Sequence, residues 1–316
     1  MILVTGATGF VGGALARRLA ADCSFKAVVA AVRRKAESLP EGVRPIQVGD
    51  LLPNTDWGMA LQGVGAVVHC AARVHVMKDY VINQLQVYRD VNVNSTLNLA
   101  HQAARAGVRR FVFVSSIKVN GETTQPSQPF TADDVPEPLD PYGVSKLEAE
   151  QGLREIEAQT GMEVVIVRPP LVYGPGVKAN FDSMMRCVAR GIPLPLGAIH
   201  NARSMVALDN LVDLLVTCVK HPAAAGQTFL VSDGEDVSTT GLLRRTAQAM
   251  GKKAFLLPVP AFVLEWGAAL LGKRAVAQRL CGSLQVDINK TRQLLGWTPP
   301  VSVDEGLRRA AEGFSQ

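Results

Sequence analysis

The octapeptide TGATGFVG, residues 5–12, follows directly on the apolar run ILV. Its glycines, Gly6, Gly9 and Gly12, recur every third residue. A strand that turns at once into a helix needs such residues: one for the tight turn, one for close approach of backbone to a ligand, and one for helix–strand contact. The helix that opens there points unpaired N–H groups at an anion such as a pyrophosphate. The stretch therefore predicts a strand–turn–helix unit that binds a dinucleotide through Gly6, Thr8, Gly9, Phe10, Val11 and Gly12.

The rest of the chain repeats that alternation. Short β-branched runs fall at 2–4, 26–32, 44–48, 65–71, 109–116, 163–169 and 227–233, with helical patterns at 13–21, 82–106, 142–160, 180–190 and 209–221. Continuous apolar runs are what parallel strands buried on both faces look like. The fold class expected is α/β: a doubly wound, Rossmann-like parallel sheet of about seven strands. After Gly174-Pro175-Gly176 the alternation fades. Residues 1–176 are expected to form the dinucleotide-binding domain, with 205–233 returning to it. Residues 177–316 then form a smaller, mainly helical substrate domain.

Composition narrows the classes. Five scattered cysteines, with no C-x-x-C pair, argue against a disulfide framework and against a metal site, and suit a reducing compartment. The N-terminus lacks a basic leader, so a cytoplasmic location is expected. Residues 255–272 are apolar but broken by Pro258, Pro260 and Glu265. They read as a buried or partly exposed helix, with membrane contact as the alternative, and not as an inserted span. The net charge of +5 is dispersed and has no nucleic-acid signature.

The end of the second strand decides the dinucleotide. NAD sites usually place a carboxylate there, on the ribose hydroxyls. Here the strand ends in Arg33 and Arg34, whose guanidinium groups suit a 2′-phosphate. NADP(H) is favoured, with NAD(H) as the alternative. Asp50 and Leu51, after the third strand, are placed to flank the adenine, or Asp50 to cap a helix.

In DPYGVSKLEAE, residues 140–150, Asp140 is a good N-cap and Pro141 suits the first helical position. Tyr142 and Lys146 then share one helix face, one turn apart. A phenol beside an ammonium is a way to ease proton exchange near neutral pH. Moving a phenol from ~10 to about 7 takes about 4 kcal/mol of differential stabilisation.

TGATGFVG, Asp50-Leu51, HCAA (69–72), Asn92, VSS (114–116), YGVSK and RPPLVYGPG, in that order, resemble the extended short-chain dehydrogenase/reductase family. The likeness is greatest to nucleotide-sugar epimerases and 4-ketoreductases of bacterial surface-polysaccharide synthesis. It departs at Leu171, where the family often has Asn. The resemblance implies Tyr142 as general acid/base and Lys146 as ribose ligand that lowers the tyrosine's pKa. It implies Ser116 as partner of the reacting oxygen, and Asn92 as support for a water relay or a brace for its helix. Ala71 and Ala72 would join the cofactor site. His75, Lys118, Asn180, Arg203 and Arg279 would contact a nucleotide-sugar substrate. A homodimer through the helices at 82–106 and 142–160 is implied as well.

Within that resemblance, Ile117 and Lys118 stand where dehydratases carry an Asp-Glu pair, which disfavours dehydration. Arg33-Arg34, and Asn120 in place of a tyrosine common in epimerases, favour NADP(H)-dependent reduction of the 4-keto group of a UDP-linked 6-deoxy-N-acetylhexosamine. A UDP-hexose or UDP-N-acetylhexosamine 4-epimerase with retained NAD is the alternative. Further rivals are a hydroxysteroid or flavonoid oxidoreductase and a non-catalytic NADP(H) sensor.

Overall fold

The computed structural model describes residues 1–34, 39–73, 84–125, 127–178 and 180–314. The chain runs through β1 (Ile2–Thr5), α1 (Phe10–Ala20), β2 (Val28–Val32), β3 (Val43–Gln47), α2 (Gly58–Leu61), β4 (Ala66–His69), α3 (Gln84–Tyr88) and α4 (Ser95–Arg105). It continues with β5 (Arg110–Val114), α5 (Pro141–Thr160), β6 (Glu163–Arg168), β7 (Leu171–Tyr173), α6 (Asn180–Ala189), β8 (Arg203–Ala207) and α7 (Leu208–Lys220). Last come β9 (Thr228–Leu230), β10 (Asp236–Val237), α8 (Thr239–Ala249), α9 (Ala261–Leu270), α10 (Arg274–Cys281), α11 (Asn289–Leu295) and α12 (Val303–Phe314).

Seven strands form one sheet in the order β3-β2-β1-β4-β5-β6-β9, every pair parallel. This is the doubly wound sheet that the sequence predicts. Inner strands β1, β2 and β4 are buried at every residue, which explains their unbroken apolar runs. β3 carries Pro45, which an edge strand tolerates. Successive residues alternate between two cores. Val4, Val68 and Val112 face a layer containing Leu15, Leu19, Leu211 and Leu215 of α1 and α7. Leu3, Val67, Phe111 and Phe113 face a layer containing Leu99 and Ala103 of α4 and Leu153 and Ile156 of α5. Strand order reverses between β1 and β4, and a crevice at the strands' carboxyl ends opens there.

The remaining strands make a small second sheet, β10-β8-β7. Residues 203–207 lie at its centre and do not join the main sheet; of the segment 205–233, only Thr228–Leu230 does, as the outer strand beside β6. The helical pattern at 82–106 is also not one continuous α-helix where it is described. Between α3 and α4, Arg89–Asn94 form a π-helical turn. α5 begins and ends as its sequence requires. Asp140 Oδ1 accepts from the Gly143 N–H at 2.6 Å, and Gly161 closes the helix at φ 73°.

A segment of the C-terminal half bridges the two sheets. The Thr124 N–H donates to the Ser283 carbonyl (2.9 Å), and the Phe130 N–H to that of Gln285 (2.9 Å). On the other side the Ser204 N–H donates to the Leu284 carbonyl at 2.8 Å. Residues 283–286 thus tie β8 to the loop that follows β5.

Candidate active site

The turn after β1 is built as a cradle. Gly6 sits at φ +69°, and a Cβ on it would meet Ala71 N at 2.9 Å. A Cβ on Gly12 would lie 2.3 Å from the Gly6 carbonyl oxygen. Gly9, the N-cap of α1, supplies no side-chain cap, and the first turn holds no acidic residue. The N–H groups of Phe10 and Val11 are therefore left for a ligand, and a negative one is favoured by the helix dipole. Together with the crevice between β1 and β4, this fits the pyrophosphate of a dinucleotide. Gly12→Ala is expected to abolish cofactor binding, measured by titration fluorescence, because no flexible side chain can yield to the new methyl group. Cofactor affinity within a few-fold of the parent would contradict this.

Arg33 and Arg34 follow β2 directly and are exposed, and among the described residues no carboxylate stands at the strand end. Asp50 is exposed after β3, and its backbone carbonyl accepts from Thr55 Oγ1 at 2.7 Å. It caps no helix, since α2 begins only at Gly58. Leu51 packs against the α4/α5 core.

His69 is fully buried between two hydroxyls, with Nδ1 2.7 Å from Thr5 Oγ1 and Nε2 3.0 Å from Thr96 Oγ1. The Ala71 N–H donates to the same Thr5 Oγ1 at 3.2 Å. This staple fixes Ala71 and Ala72 against the glycine turn. Burial first, then the Lys146 charge, push the imidazole down from 6.5 to about 3. The unfolded chain takes up this proton near 6.5 and the folded one only near 3, so acid favours unfolding through that window. Stability is expected to fall by about 1.4 kcal/mol per pH unit below 6.5 on this account. Urea unfolding of His69→Gln beside the parent tests it: the variant should lose that part of the slope, and equal slopes would refute it.

Ser115 and Ser116 end β5 with different fates. Ser115 Oγ is buried and donates to Glu150 Oε1 at 2.5 Å. Ser116 is half-buried and opens the turn Ile117–Val119, its Oγ accepting from the Lys118 N–H at 3.3 Å. Lys146 reaches the same strand end: Nζ donates to the Val114 carbonyl at 2.9 Å and lies 4.4 Å from the Phe113 ring centre. Gly143 lets α5 close on this turn, since a Cβ there would be 2.8 Å from the Lys118 carbonyl oxygen. Ser116 and Lys146 thus lie at the carboxyl end of β5, and Tyr142 stands one turn before Lys146 on α5. The Tyr142 ring meets Tyr88 edge-on at 6.0 Å.

Burial, then Asp140 and Tyr88, push the Tyr142 phenol above its usual value, and burial pushes the Lys146 ammonium down to about 8. The Lys146 ammonium donates one of its N–H groups to the Val114 carbonyl.

Asn92 is buried in the π-helical turn, and both ends of its amide are used. Oδ1 accepts from the Arg73 N–H at 2.8 Å, and Nδ2 donates to the Arg73 carbonyl (3.1 Å) and Ser145 Oγ (3.0 Å). Its side chain is a brace between the loop after β4 and α5. Asn120 points away from the candidate site: its Oδ1 accepts from Arg168 Nη1 at 3.0 Å and its Nδ2 donates to the Thr131 carbonyl at 2.9 Å. Arg168 in turn grips Glu150 with two nitrogens, Nη2 at 2.6 Å and Nε at 3.0 Å. Sequence reading missed Glu150, although it lies one turn after Lys146 on the same buried face.

Lys118 is held by Asp140 and, at 3.0 Å, by Glu122. Arg203 comes together with α10: its Nη1 donates to the carbonyls of Arg279 and Gly282, both at 3.0 Å. Among the described residues Arg203 has no acidic partner, and burial lowers its pKa. It is a half-buried cation suited to an anion. Arg279 is exposed. Asn180 starts α6. His75 lies outside the described residues. No group of three or more metal-ligating side chains gathers among the described residues.

Comparison with known proteins agrees with this geometry. Residues 2–232 match the model of the NAD dependent epimerase/dehydratase family. The chain is 49% identical over 316 residues to a UDP-glucose 4-epimerase of Vibrio cholerae, covering 100% of this chain and 95% of that protein. It is 28% identical to an N-acetyl-alpha-D-glucosaminyl-diphospho-ditrans,octacis-undecaprenol 4-epimerase of Escherichia coli O157:H7, over 98% of this chain and 94% of that one. Among solved structures, MoeE5 in complex with UDP-glucuronic acid and NAD superposes with a TM-score of 0.78 at 27% identity, covering 99% of this chain and 98% of that one.

Proposed function

The chain belongs to the NAD dependent epimerase/dehydratase family, of extended short-chain dehydrogenase/reductase type, and on that premise we propose that it interconverts the C4 epimers of a UDP-linked hexose with a retained NAD. The observation that carries this reading is the 49% identity over the whole chain to a protein named UDP-glucose 4-epimerase. The orientation of Asn120 supports it too. The residue that counted against an epimerase in the sequence is tied to Arg168 and Thr131, so it does not shape the site.

A bound nicotinamide would supply the hydride chemistry at C4 of the sugar, as acceptor and then donor. Tyr142 exchanges the proton of the C4 hydroxyl through its phenol oxygen, and Ser116 Oγ holds the reacting oxygen. Lys146, pinned on the Val114 carbonyl, orients the ribose side of the site. Return of hydride to the opposite face requires the hexose to turn over. Arg203, with Arg279 beside it, is placed to hold the diphosphate while it does. The substrate would then lie between residues 1–176 and the smaller domain 177–316. A homodimer through α3–α4 and α5, and a cytoplasmic location in keeping with five free cysteines, belong to the same proposal.

The test is to incubate the protein with UDP-galactose, and separately with UDP-N-acetylgalactosamine, without added cofactor. Formation of the matching 4-epimer is expected. No conversion even after NAD is supplied would reject the reading.

Arg33 and Arg34 favour a second one, NADP(H)-dependent reduction of a UDP-4-keto-6-deoxy sugar. Each guanidinium–phosphate bond contributes about 1.5–3 kcal/mol. On this reading Arg33→Ser with Arg34→Ser weakens NADPH roughly tenfold or more and leaves NADH unchanged. Equal affinity of the unaltered protein for the two cofactors would remove it.

A further inference from the structure

α9 has no buried residue, although nine of its ten residues are apolar or glycine. Its inner side rests on a small core where Ala261 and Leu264 pack near Val188, Leu196, Ile199 and Leu243. Its outer side is open: Phe262 is 70% exposed, Trp266 71%, Leu270 71% and the following Leu271 74%. The first three are four residues apart, so they stack along one face. Aromatic side chains carry about 150–250 Å² each, so this stripe exposes on the order of 500 Å² of apolar surface. Lys273 and Arg274 follow the stripe directly, Lys252, Lys253 and Arg279 are exposed in the flanking sequence, and Glu265 is the one carboxylate between 252 and 281. A groove between α9 and α10 is lined by Phe262, Trp266, Ala269 and Ala277 together with Glu265, Arg274 and Gln278.

We propose that the α9–α10 hairpin docks the chain on the surface of an anionic lipid bilayer. Apolar side chains centred on a tryptophan suit the boundary between headgroups and acyl chains, and the flanking cations suit lipid phosphates. A ten-residue helix is only ~15 Å long, about half the hydrocarbon core, so it lies in the boundary and does not cross. No helix among the described residues is long and apolar enough to cross a membrane. The hairpin is also the element whose C-terminal carbonyls receive Arg203.

Tryptophan fluorescence gives a direct readout. Of the three tryptophans, Trp57 and Trp297 are buried and only Trp266 faces out. The full-length chain is mixed with vesicles of phosphatidylcholine and phosphatidylglycerol, and with phosphatidylcholine alone. A blue shift and co-sedimentation are expected with the anionic vesicles, reversed by salt. Lys273→Gln with Arg274→Gln should weaken binding roughly 25-fold, at about fivefold per charge. Trp266→Phe should abolish the shift but keep co-sedimentation, and Trp266→Ser with Leu270→Ser should lose roughly tenfold or more of it. All these sites are exposed, so thermal melts should match the parent's, and turnover of a soluble substrate is not the readout. Failure to bind anionic vesicles overturns the proposal. So does equal binding by the charge variant. A Trp266→Ser variant that merely converts an oligomer to a monomer would assign the face to a second copy instead.

Discussion

Turnover of a Tyr142→Phe variant is expected to fall by about 10²–10⁴-fold, with cofactor affinity within a few-fold of the parent. The phenol oxygen is the only atom removed, and the ring keeps its edge contact with Tyr88. Ser116 has a hydroxyl at the carboxyl end of β5 but, among the described residues, no cation paired with it to draw off its proton, and the neighbouring groups are engaged elsewhere. Lys146 is committed to the Val114 carbonyl, Ser115 to Glu150, and Lys118 to Asp140 and Glu122. Steady-state kinetics together with cofactor titration measure both quantities. Undiminished turnover would remove Tyr142 from the mechanism. Parallel loss of turnover and cofactor binding would mean that the substitution disturbed the fold.

Glu150→Ala is expected to destabilise the chain by about 3–5 kcal/mol, with unfolding followed in urea. The carboxylate is 4% exposed and holds Arg168, itself 5% exposed, through both oxygens, and it also receives the Ser115 hydroxyl. Removal of Glu150 leaves a buried guanidinium with no counter-charge. A double variant, Glu150→Leu with Arg168→Met, should recover most of the loss, because neither charge then remains unpaired. A single variant as stable as the parent would show that water reaches the site and screens Arg168.

The main sheet was legible in the sequence because parallel strands buried on both faces leave continuous apolar runs, and the glycine turn fixed where the first one ends. The second sheet was not. β10 has two residues and β7 three, and their pairing is set by distant partners rather than by local pattern. Side-chain direction was the other blind spot. Asn120 counts against an epimerase by its place in the sequence, yet its amide is tied to Arg168 and Thr131. Asn92 reads as a relay or a brace, and its amide is taken up by Arg73 and Ser145. His69 carried a readable signal, a titratable ring in an apolar strand, and its register partner Thr5 was already in the glycine motif. The apolar character of 255–272 was plain in the sequence. What covers its outer face was not, because apolar composition does not say which side of a helix meets the core.

The most direct test of the proposed chemistry is to denature the freshly purified protein and identify the nicotinamide nucleotide released. A recycling 4-epimerase predicts near-stoichiometric NAD, carried through purification. Protein that releases no nucleotide, and that oxidises added NADPH only when given a 4-keto sugar, would contradict that account and assign Arg33 and Arg34 to a reductase.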